Sequence, residues 1–274
     1  MDFIRNVFKN LVYYTSPALT TAGARHMFCT RLGGVSEGHL ESLNFGLSLG
    51  DERERVYENY RIAMAALESD VRDLVLTRQV HEDHVRVVTR ADTGNLFHPT
   101  PEGADGLASA DDVTLGAFYA DCVVMLLFDP VAGVSAAVHA GWRGTAKGIA
   151  RRAVEAMAAL GARPEDIRAG VGPAIGRCCF ETDADVPEAI AAAFGVAADG
   201  YIERAGSKYH VDLKGLNAMT LGQSGLVPEH VDVCRVCTMC TPEEFWSHRL
   251  TKGKRGVHGA FIVNHTAQGG NTLC

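Results

Sequence analysis

Two apolar runs separated by a short turn constrain the fold of this chain more than any other feature. Residues 123–128 and 134–138 are both continuously apolar, which is typical of strands buried on both faces. The segment Asp129–Gly133 between them is rich in turn residues. The two runs therefore predict a hairpin inside a sheet.

The register of this hairpin decides which polar side chains meet at its open end. A loop made of Pro130-Val131, or of residues 129–132, places Cys122 opposite His139. Opposed residues have Cβ atoms ~4.5–5.5 Å apart, so a thiol and an imidazole would then be neighbours. A bulge at Gly133 would change this register.

The composition limits the classes of protein to which the chain can belong. Its 274 residues are 47% hydrophobic and 22% charged, which is typical of a globular protein and excludes a disordered or collagen-like chain. The net charge of −7 argues against a nucleic-acid partner, and no run approaches the ~20 apolar residues of a membrane helix. Eight cysteines in so long a chain favour a cytoplasmic protein over a disulfide framework. We expect one domain over residues 1–274, as a monomer or small homo-oligomer, with a frayed N-terminus and a polar tail from Asn264.

Periodicity predicts a mixed pattern of helices and strands around the hairpin. Helices are predicted over 52–68, 146–160, 186–195 and 213–222, with Thr145 and Asp212 as the caps of the second and the last. Strands are predicted over 10–15, 23–30, 73–80, 85–89, 167–171, 231–236 and 257–263.

The facing pair Cys122 and His139 has three interpretations. A thiolate and an imidazole bind zinc, and a third ligand with one open position makes a catalytic site. A thiol beside an imidazole is also the activated nucleophile of cysteine hydrolases, and a free cysteine is often merely packed. His81 is a better third ligand than His84, because it follows Gln79-Val80, where a predicted strand stops.

A second group of cysteines has a spacing that suggests a metal. Cys234, Cys237 and Cys240 are each three residues apart, and Cys178-Cys179 lies elsewhere in the chain. This pattern is similar to an iron–sulfur or zinc-ribbon fragment, but a fourth cysteine does not follow. Ordinary thiols are the alternative.

Several charged residues are candidates for catalysis or for binding an anion. The carboxylates of Asp105, Asp121 and Glu181 stand beside apolar or glycine-rich segments, where such groups act as a general acid or base, orient a ligand histidine or cap a loop. The arginines that could hold phosphate are Arg31, Arg143, Arg249 and Arg255. Backbone N–H groups at the 144–146 helix start would add to such a site.

Short motifs that span nearly the whole chain resemble one family. They are Thr30–Ser36 (TRLGGVS), Ser42–Gly46 (SLNFG), Gln79–His81 (QVH), Ala104–Gly106 (ADG), Ala120–Cys122 (ADC), Val138–Gly144 (VHAGWRG), Gly172–Glu181 (GPAIGRCCFE), and Cys237-Thr238 with Ser247–Arg249 (SHR). Together they resemble the YfiH-type family, also known as laccase-domain or multicopper polyphenol oxidase-like proteins. The HAGWRG and GPAI stretches are the most specific.

The resemblance implies a fold and an activity. The fold is α+β, with two mixed central β-sheets flanked by helices in four α/β/β/α layers, similar to the catalytic domain of cytotoxic necrotizing factor, a cysteine deamidase. The implied activity is purine nucleoside phosphorolysis, with adenosine deamination and methylthioadenosine cleavage at the same site. Purine nucleosides and inorganic phosphate are the implied partners.

The resemblance also implies roles for individual residues. The zinc ligands fall on His81, Cys122 and His139, and copper is the alternative metal. The other expected catalytic residues are Asp105 and Asp121, either of which would shuttle a proton, and Arg143. Residues expected to bind substrate or phosphate are Arg31, Asn44, Gln79, Arg143 and Gly144. The family often has an aromatic–Arg–Arg run and Thr-Gly-Arg where this chain has Ser247–Leu250 and Thr251–Arg255, so the roles of Arg249 and Arg255 stay open.

Three rival hypotheses accompany the phosphorylase. A metal-free hydrolase or deamidase would use Cys122 as nucleophile and His139 as base, with His81 a spectator. A copper site could add Met125 as a weak axial ligand, but a multicopper oxidase needs His-x-His pairs, and none of the eleven histidines has another two positions away. A metal-storage module would bind zinc without turnover.

Overall fold

The computed structural model describes residues 2–96 and 102–264 of the chain. The strands are β1 (Ile4–Phe8), β2 (Leu11–Thr15), β3 (Arg25–Cys29), β4 (Leu74–Val75), β5 (Val85–Val87), β6 (Gly106–Ser109), β7 (Thr114–Tyr119), β8 (Val123–Asp129), β9 (Val134–Ala140), β10 (Arg168–Val171), β11 (Glu181–Thr182), β12 (Ile202–Ala205), β13 (Lys208–Val211), β14 (Val231–Val233) and β15 (His258–Val263). The α-helices are α1 (Pro17–Thr21), α2 (Arg53–Ala66), α3 (Trp142–Ala146), α4 (Ile149–Ala159), α5 (Asp185–Phe194), α6 (Leu213–Gln223) and α7 (His248–Thr251). Short 3-10 helices span Gly38–Leu40, Val71–Asp73, Arg90–Asp92, Gly195–Tyr201 and Pro228–His230.

The strands form two large mixed sheets and one small one. The first sheet has the order β1-β2-β3-β15-β7-β4, and the second has the order β14-β10-β8-β9-β6-β5. Most neighbours are antiparallel, but β4 runs parallel to β7, β14 to β10 and β5 to β6. The small antiparallel sheet has the order β11-β13-β12.

Three apolar cores hold these layers together. The first core lies between the two large sheets and joins side chains such as Phe28 and Ile262 to Val124 and Leu126. The second packs α2 on the outer face of the first sheet, and the third packs α4 and α6 on the outer face of the second. The predicted α+β fold with mixed sheets flanked by helices is therefore confirmed.

The hairpin of β8 and β9 forms as predicted, but the predicted register is wrong. Val124, not Cys122, pairs with His139. Gly133 belongs to the loop, where its φ of 65° lies in the left-handed region and its N–H donates to the Asp129 carbonyl. The pairing is thus shifted by two positions. Because side chains alternate along a strand, a shift by two leaves Cys122 and His139 on one face.

Other differences from the prediction concern the ends of elements. The helix predicted over 146–160 is two helices, α3 and α4, because Gly148 adopts φ 79° between them, so Thr145 is not a cap. The strand predicted over 73–80 is reduced to β4, since its second half leaves the sheet to form the loop that carries His81. Rather than fraying, the N-terminal segment forms the edge strand β1.

The C-terminal end of the described residues is held by hydrogen bonds. Asn264 is buried and its side-chain amide donates to the carbonyls of Ser109 and Asp111, while the rest of the predicted tail, 265–274, lies outside the described residues.

No helix in the described part combines the length and the apolar composition needed to cross a membrane.

Candidate active site

The order of the strands in the second sheet brings four polar side chains to one edge. Cys122 lies directly before β8, and His139 lies near the end of the antiparallel β9. Asp105 directly precedes β6, which is antiparallel to β9, so it comes to the same edge. The loop with His81 leads into β5, which runs parallel to β6. Residues 81, 105, 122 and 139 therefore converge although they are far apart in sequence.

His81, Cys122 and His139 form a cluster that could hold a metal ion. Their candidate ligand atoms all lie within 4.8 Å of one another, and the two imidazole centroids are 4.8 Å apart. One zinc ion with bonds of about 2.0–2.3 Å spans ligand atoms roughly 3.3–3.8 Å apart, which falls within this limit. Gly141 backs the cluster, because a Cβ there would come within 3.1 Å of the His81 ring and 3.6 Å of the Cys122 sulfur.

Asp105 fixes the orientation of two members of this cluster. Its buried carboxylate accepts a hydrogen bond from His139 Nδ1 at 2.8 Å, which leaves Nε2 as the ligand atom. It also accepts from the backbone N–H groups of Val80, His81 and Glu82 at 2.9–3.1 Å. These bonds hold the turn in which His81 adopts φ 63°.

The cluster also shifts the ionisation of its own members. Burial opposes ionisation of the Cys122 thiol, but the charge of His139 and hydrogen bonds from both histidines lower its pKa to about 6. Burial likewise opposes the charged form of His139, but Cys122 and Asp105 raise its pKa to about 9. Despite burial, His139 and the surrounding N–H groups lower the pKa of Asp105. Without a metal, both shifts favour a thiolate beside an imidazolium at neutral pH.

Asp121 joins the cluster to two distant loops. Its φ of 82° turns the chain directly before Cys122, and its carboxylate accepts from Thr238 Oγ1 at 2.6 Å and Ser247 Oγ at 3.0 Å. The N–H of Arg249 donates to the same carboxylate at 2.7 Å. Three donors thus hold this carboxylate in place at the wall of a cavity.

A cavity of about 280 Å³ opens beside the cluster. Its polar lining consists of His81, Asp121, Cys122, His248, Arg249 and Arg255. Its apolar lining consists of Ala120, Trp142, Ile175, Phe180 and Leu213. A mainly apolar wall with a few convergent polar groups is typical of small-molecule sites, which begin at about 300 Å³.

Arg249 and Arg255 are the cationic side chains at this cavity. Arg249 Nη1 donates to the Glu181 carbonyl at 2.7 Å, and its guanidinium lies 5.4 Å from the Phe180 ring centroid. Arg255 Nη2 lies 3.3 Å from His248 Nδ1, and its buried Nε has no hydrogen-bond partner among the described residues. An unsatisfied buried donor at a cavity indicates a place for an acceptor group of a ligand.

Three residues predicted to bind substrate lie elsewhere and support the fold. The Arg31 guanidinium stacks on Trp246 at 3.8 Å and donates to the Glu41 carbonyl. Asn44 is fully buried and bonded to the backbone of Gly46 and of Val257, and the Gln79 amide forms two hydrogen bonds with the backbone of residue 118. None of these three side chains lines the cavity.

Arg143 and Gly144 also lie outside the cavity lining. The Arg143 side chain is exposed and its guanidinium stands 4.2 Å from the Trp142 centroid. Gly144 is buried because α3 packs on the turn after His81, where a Cβ would come within 2.8 Å of the Glu82 carbonyl oxygen. Since α3 begins at Trp142, only Gly144 of residues 144–146 has its N–H among the first N–H groups of the helix, and that of Thr145 already bonds the Gly141 carbonyl.

The sequence indicates Arg249 and Arg255 as candidates to hold phosphate, but it predicts neither the apolar wall nor the place of His248. Phe180 and Leu213 meet Trp142 only through the tertiary fold, and no sequence spacing connects them. For His248 and Arg255 the one available signal was their place in the SHR and TKGKR segments, where this chain departs from the family pattern.

The fold and site define a mixed-sheet α+β protein with a candidate metal centre at a small-molecule cavity. The family described as "Multi-copper polyphenol oxidoreductase laccase" matches residues 25–265. The chain therefore belongs to this family, which is the YfiH-type family of the motifs.

Relatives with a named activity and a solved structure are similar over most of the chain. A Bacillus subtilis protein named purine nucleoside phosphorylase YlmD is 36% identical over 86% of each chain. A protein of an unknown prokaryotic organism, named adenosine deaminase RL5, is 34% identical over 73% of this chain and 79% of its own. The crystal structure of YlmD from Geobacillus stearothermophilus has a TM-score of 0.90 at 33% identity, covering 97% of this chain and 100% of that one.

Proposed function

We propose that this chain is a zinc-dependent purine nucleoside phosphorylase, with adenosine deaminase and methylthioadenosine phosphorylase activity at the same site. One observation carries the proposal: a single cavity, lined by His81 and Cys122 of the His81/Cys122/His139 cluster, also has an apolar wall and two arginines. The names of the relatives, which are purine nucleoside phosphorylase and adenosine deaminase, support the same chemistry. The substrates would be purine nucleosides and inorganic phosphate.

The apolar wall suits a purine base. Trp142 and Phe180 offer aromatic surface, and Ile175 and Leu213 complete a face without charge. Such a face binds a flat heterocycle through burial and stacking. It would also accept the thioether of methylthioadenosine, because a methylthio group needs no hydrogen-bond partner.

Phosphate would be held by the last loop rather than by Arg31 or Arg143. The unpartnered Nε of Arg255 and the guanidinium of Arg249 provide fixed N–H donors, which suit the oxygens of an anion. His248 Nδ1 accepts from Arg255, which leaves its Nε2–H as a further donor.

Two imidazoles and one thiolate fit zinc. Asp105 holds the tautomer in which His139 presents Nε2, and the Asp105 bonds to the His81 turn keep the second imidazole beside it. When bound there, zinc would supply a Lewis acid beside the cavity. A blue-copper site is disfavoured, because Met125 packs into the core beneath α4, whereas Val124, the partner of His139, lies in the core between the sheets.

The residues of the chain would position both substrates for the reaction. In phosphorolysis a phosphate oxygen bonds to C1′ while the C1′–N9 bond breaks, and the purine takes the electron pair and a proton. The arginines would hold the phosphate against the sugar while the apolar wall holds the base, so that the reacting atoms meet in one orientation. In deamination a water adds at purine C6 and ammonia leaves.

Product analysis with and without phosphate tests this proposal. Zinc-loaded protein should convert adenosine and phosphate to adenine and ribose 1-phosphate, and methylthioadenosine to adenine and methylthioribose 1-phosphate. Without phosphate it should convert adenosine to inosine. Zinc binding with no turnover of either nucleoside would contradict the proposal and leave a metal-binding module.

A metal-free cysteine hydrolase or deamidase is the second candidate. Cys122, His139 and Asp105 form a thiol–imidazole–carboxylate chain, and the pKa of Cys122 is lowered to about 6. In that enzyme His81 takes no part, so His81→Ala should retain full activity. In a zinc enzyme His81→Ala should lose metal and activity together, whereas His84→Ala, an exposed imidazole outside the cluster, should lose neither.

Three broader expectations stand beside this proposal. The free cysteines among the described residues support a reducing, cytoplasmic location. The two large sheets share one apolar core, which supports a single domain. The likeness to the catalytic domain of cytotoxic necrotizing factor stays a prediction.

A further inference from the structure

Four cysteines from two loops meet at a second place in the structure. Cys178 and Cys179 follow the GPAIG segment, whereas Cys237 and Cys240 follow β14. Their sulfur atoms all lie within 4.8 Å of one another. We call Cys178, Cys179, Cys237 and Cys240 the four-thiol cluster.

The spacing of these sulfurs fits one tetrahedral ion. Cys178 and Cys179 place their sulfurs 3.7 Å and 3.3 Å from that of Cys240. A zinc ion with Zn–S bonds of about 2.3 Å holds its sulfurs roughly 3.8 Å apart. An iron–sulfur cluster instead attaches its thiolates to different irons and spreads them more widely. A single ion with four sulfur ligands is therefore the better fit.

Both pairs of cysteines lie in turns that direct their side chains together. The N–H of Cys240 donates to the Cys237 carbonyl at 3.1 Å, which closes the C-x2-C turn common in zinc sites. The N–H of Cys179 donates to the Gly176 carbonyl at 3.0 Å and closes the other turn.

Groups around the cluster provide a hydrogen bond to one of its sulfurs and a buried positive charge nearby. The N–H of Gly176 donates to Cys237 Sγ at 3.2 Å, and a Cβ on Gly176 would come within 3.2 Å of Cys178 Sγ. The buried ammonium of Lys214 donates to the carbonyls of Cys234 and Val236, in the stretch that leads into Cys237. A buried positive charge is stabilised by negative charge nearby, which a four-thiolate zinc site, with net charge −2, would supply.

We propose that the four-thiol cluster is a second zinc site, structural and closed, that ties the loop lining the cavity to the loop that holds Asp121. Ile175 and Phe180 stand on the first loop, and Thr238, which holds the Asp121 carboxylate, stands on the second. Four protein ligands leave no open position, which separates this site from the catalytic one. The ion would cross-link the loops as a disulfide does, but with four bonds.

Cys234 is not part of this site, although the sequence spacing groups it with Cys237 and Cys240. Cys234 is buried where β14 ends, and its N–H donates to the Val171 carbonyl. It therefore provides a matched control for variants of the four-thiol cluster.

The proposal is tested by measuring the number of zinc ions per chain in variants that keep only one of the two clusters. Protein purified with zinc should contain two ions per chain, and Cys122→Ala/His139→Ala should retain one. Cys178→Ser/Cys179→Ser should also retain one, and Cys234→Ser should retain two. The counts do not depend on turnover, so failure here is distinguishable from failure of the proposed function.

Two further measurements use protein in which only the four-thiol cluster remains. Cys122→Ala/His139→Ala protein loaded with Co²⁺ should show the strong thiolate-to-cobalt absorption of a tetrahedral sulfur site, even if the double-serine variant does not fold. Its intact mass under denaturing conditions should equal that of the fully reduced chain. Absence of metal from this variant, or a mass lower by two hydrogens because a disulfide joins two of the cysteines, would overturn the proposal.

Discussion

The two clusters of potential metal ligands in this molecule differ in what surrounds them. His81, Cys122 and His139 stand at the edge of a sheet, with Asp105 behind them and a cavity in front. The four-thiol cluster stands on two loops, with backbone N–H groups and Lys214 around it. Three ligands facing a cavity suit chemistry, whereas four ligands suit stability. The difference indicates that the number of ligands and their surroundings, more than the ligand type, distinguish a catalytic metal site from a structural one.

Removing the Cys122 sulfur from the first cluster should have the largest effect on zinc content and activity. Cys122→Ala leaves two imidazoles, which hold zinc poorly, so we expect loss of one zinc ion and at least a ~1,000-fold fall in phosphorolysis. Elemental analysis and product chromatography measure the two effects. The matched Cys234→Ala variant should keep both ions. Full phosphorolysis by metal-free Cys122→Ala protein would refute the role of the metal.

Acid should destabilise the fold through the imidazoles of His26 and His258, which belong to neither cluster. Metal loss therefore reports on the clusters only at pH values at which the protein stays folded. His26 and His258 each donate from Nδ1 to a carbonyl and accept a backbone N–H at Nε2, so the fold requires their neutral form. Burial lowers the pKa of His26 to about 4 and that of His258 to about 3. Below pH 6.5 the unfolded chain binds protons that the folded chain does not. Stability should therefore fall between pH 6.5 and 4, by about 3 kcal/mol for each.

Urea unfolding at a series of pH values measures this loss. His26→Gln, which can still donate and accept, should reduce the slope of stability against pH below 6.5. A slope unchanged in this variant would contradict the assignment to His26.

Asp105→Asn should weaken the first cluster and spare the second. The amide accepts at only one of its terminal atoms, so it loses either the hydrogen bonds at Oδ1, from His139 and His81, or those at Oδ2, from Val80 and Glu82. Loss of such a partner typically lowers metal affinity 10–100-fold. Competition with a chelating dye should show this weakening for one of two zinc ions, and equal weakening of both would indicate general unfolding.

The roles of Arg255 and Arg143 in binding phosphate can be compared with one substitution each. Arg255→Met should raise KM for phosphate about 10-fold or more and change KM for the nucleoside little, because it removes donors at the cavity. Arg143→Met should leave KM for phosphate unchanged, since that guanidinium is exposed outside the cavity lining. The reverse result would restore the assignment predicted from the sequence.

Replacing either of two glycines, Gly141 or Gly176, by alanine should have the smallest and most selective effects on zinc affinity. A Cβ on Gly141 would meet His81 at 3.1 Å, and one on Gly176 would meet Cys178 at 3.2 Å. Gly141→Ala should lower zinc affinity a few-fold at the first cluster only, and Gly176→Ala at the four-thiol cluster only. Neither glycine has a positive φ, so each effect is steric. A Gly141→Ala effect on both zinc ions would show that the clusters are not independent.

Much of the fold could be predicted from residue patterns. The buried runs of β8 and β9 and the spacing in α2 and α6 are local signals, and each element forms where it is predicted. Strands β6 and β7 were not predicted, because buried residues such as Ala108 and Gly116 are small and give no clear alternation. The hairpin register depended on one loop residue, Gly133.

The candidate site could be predicted only in part. The convergence of His81 with Cys122 and His139 confirms that these residues could hold a metal, although the register used to place them was wrong. Asp105 is a sequence candidate for orienting a ligand histidine, but without β6 its position beside His139 cannot be derived. The four-thiol cluster was hidden because Cys178-Cys179 and Cys237 are some sixty residues apart and Cys234 completes a misleading spacing.

Anomalous X-ray scattering at the zinc edge, from crystals of protein purified with zinc, tests the central claim most directly. We expect a zinc peak about 2.0–2.3 Å from the ligand atoms of His81, Cys122 and His139, on the side that faces the cavity. Density that shows the three side chains with no metal within bonding distance would contradict it.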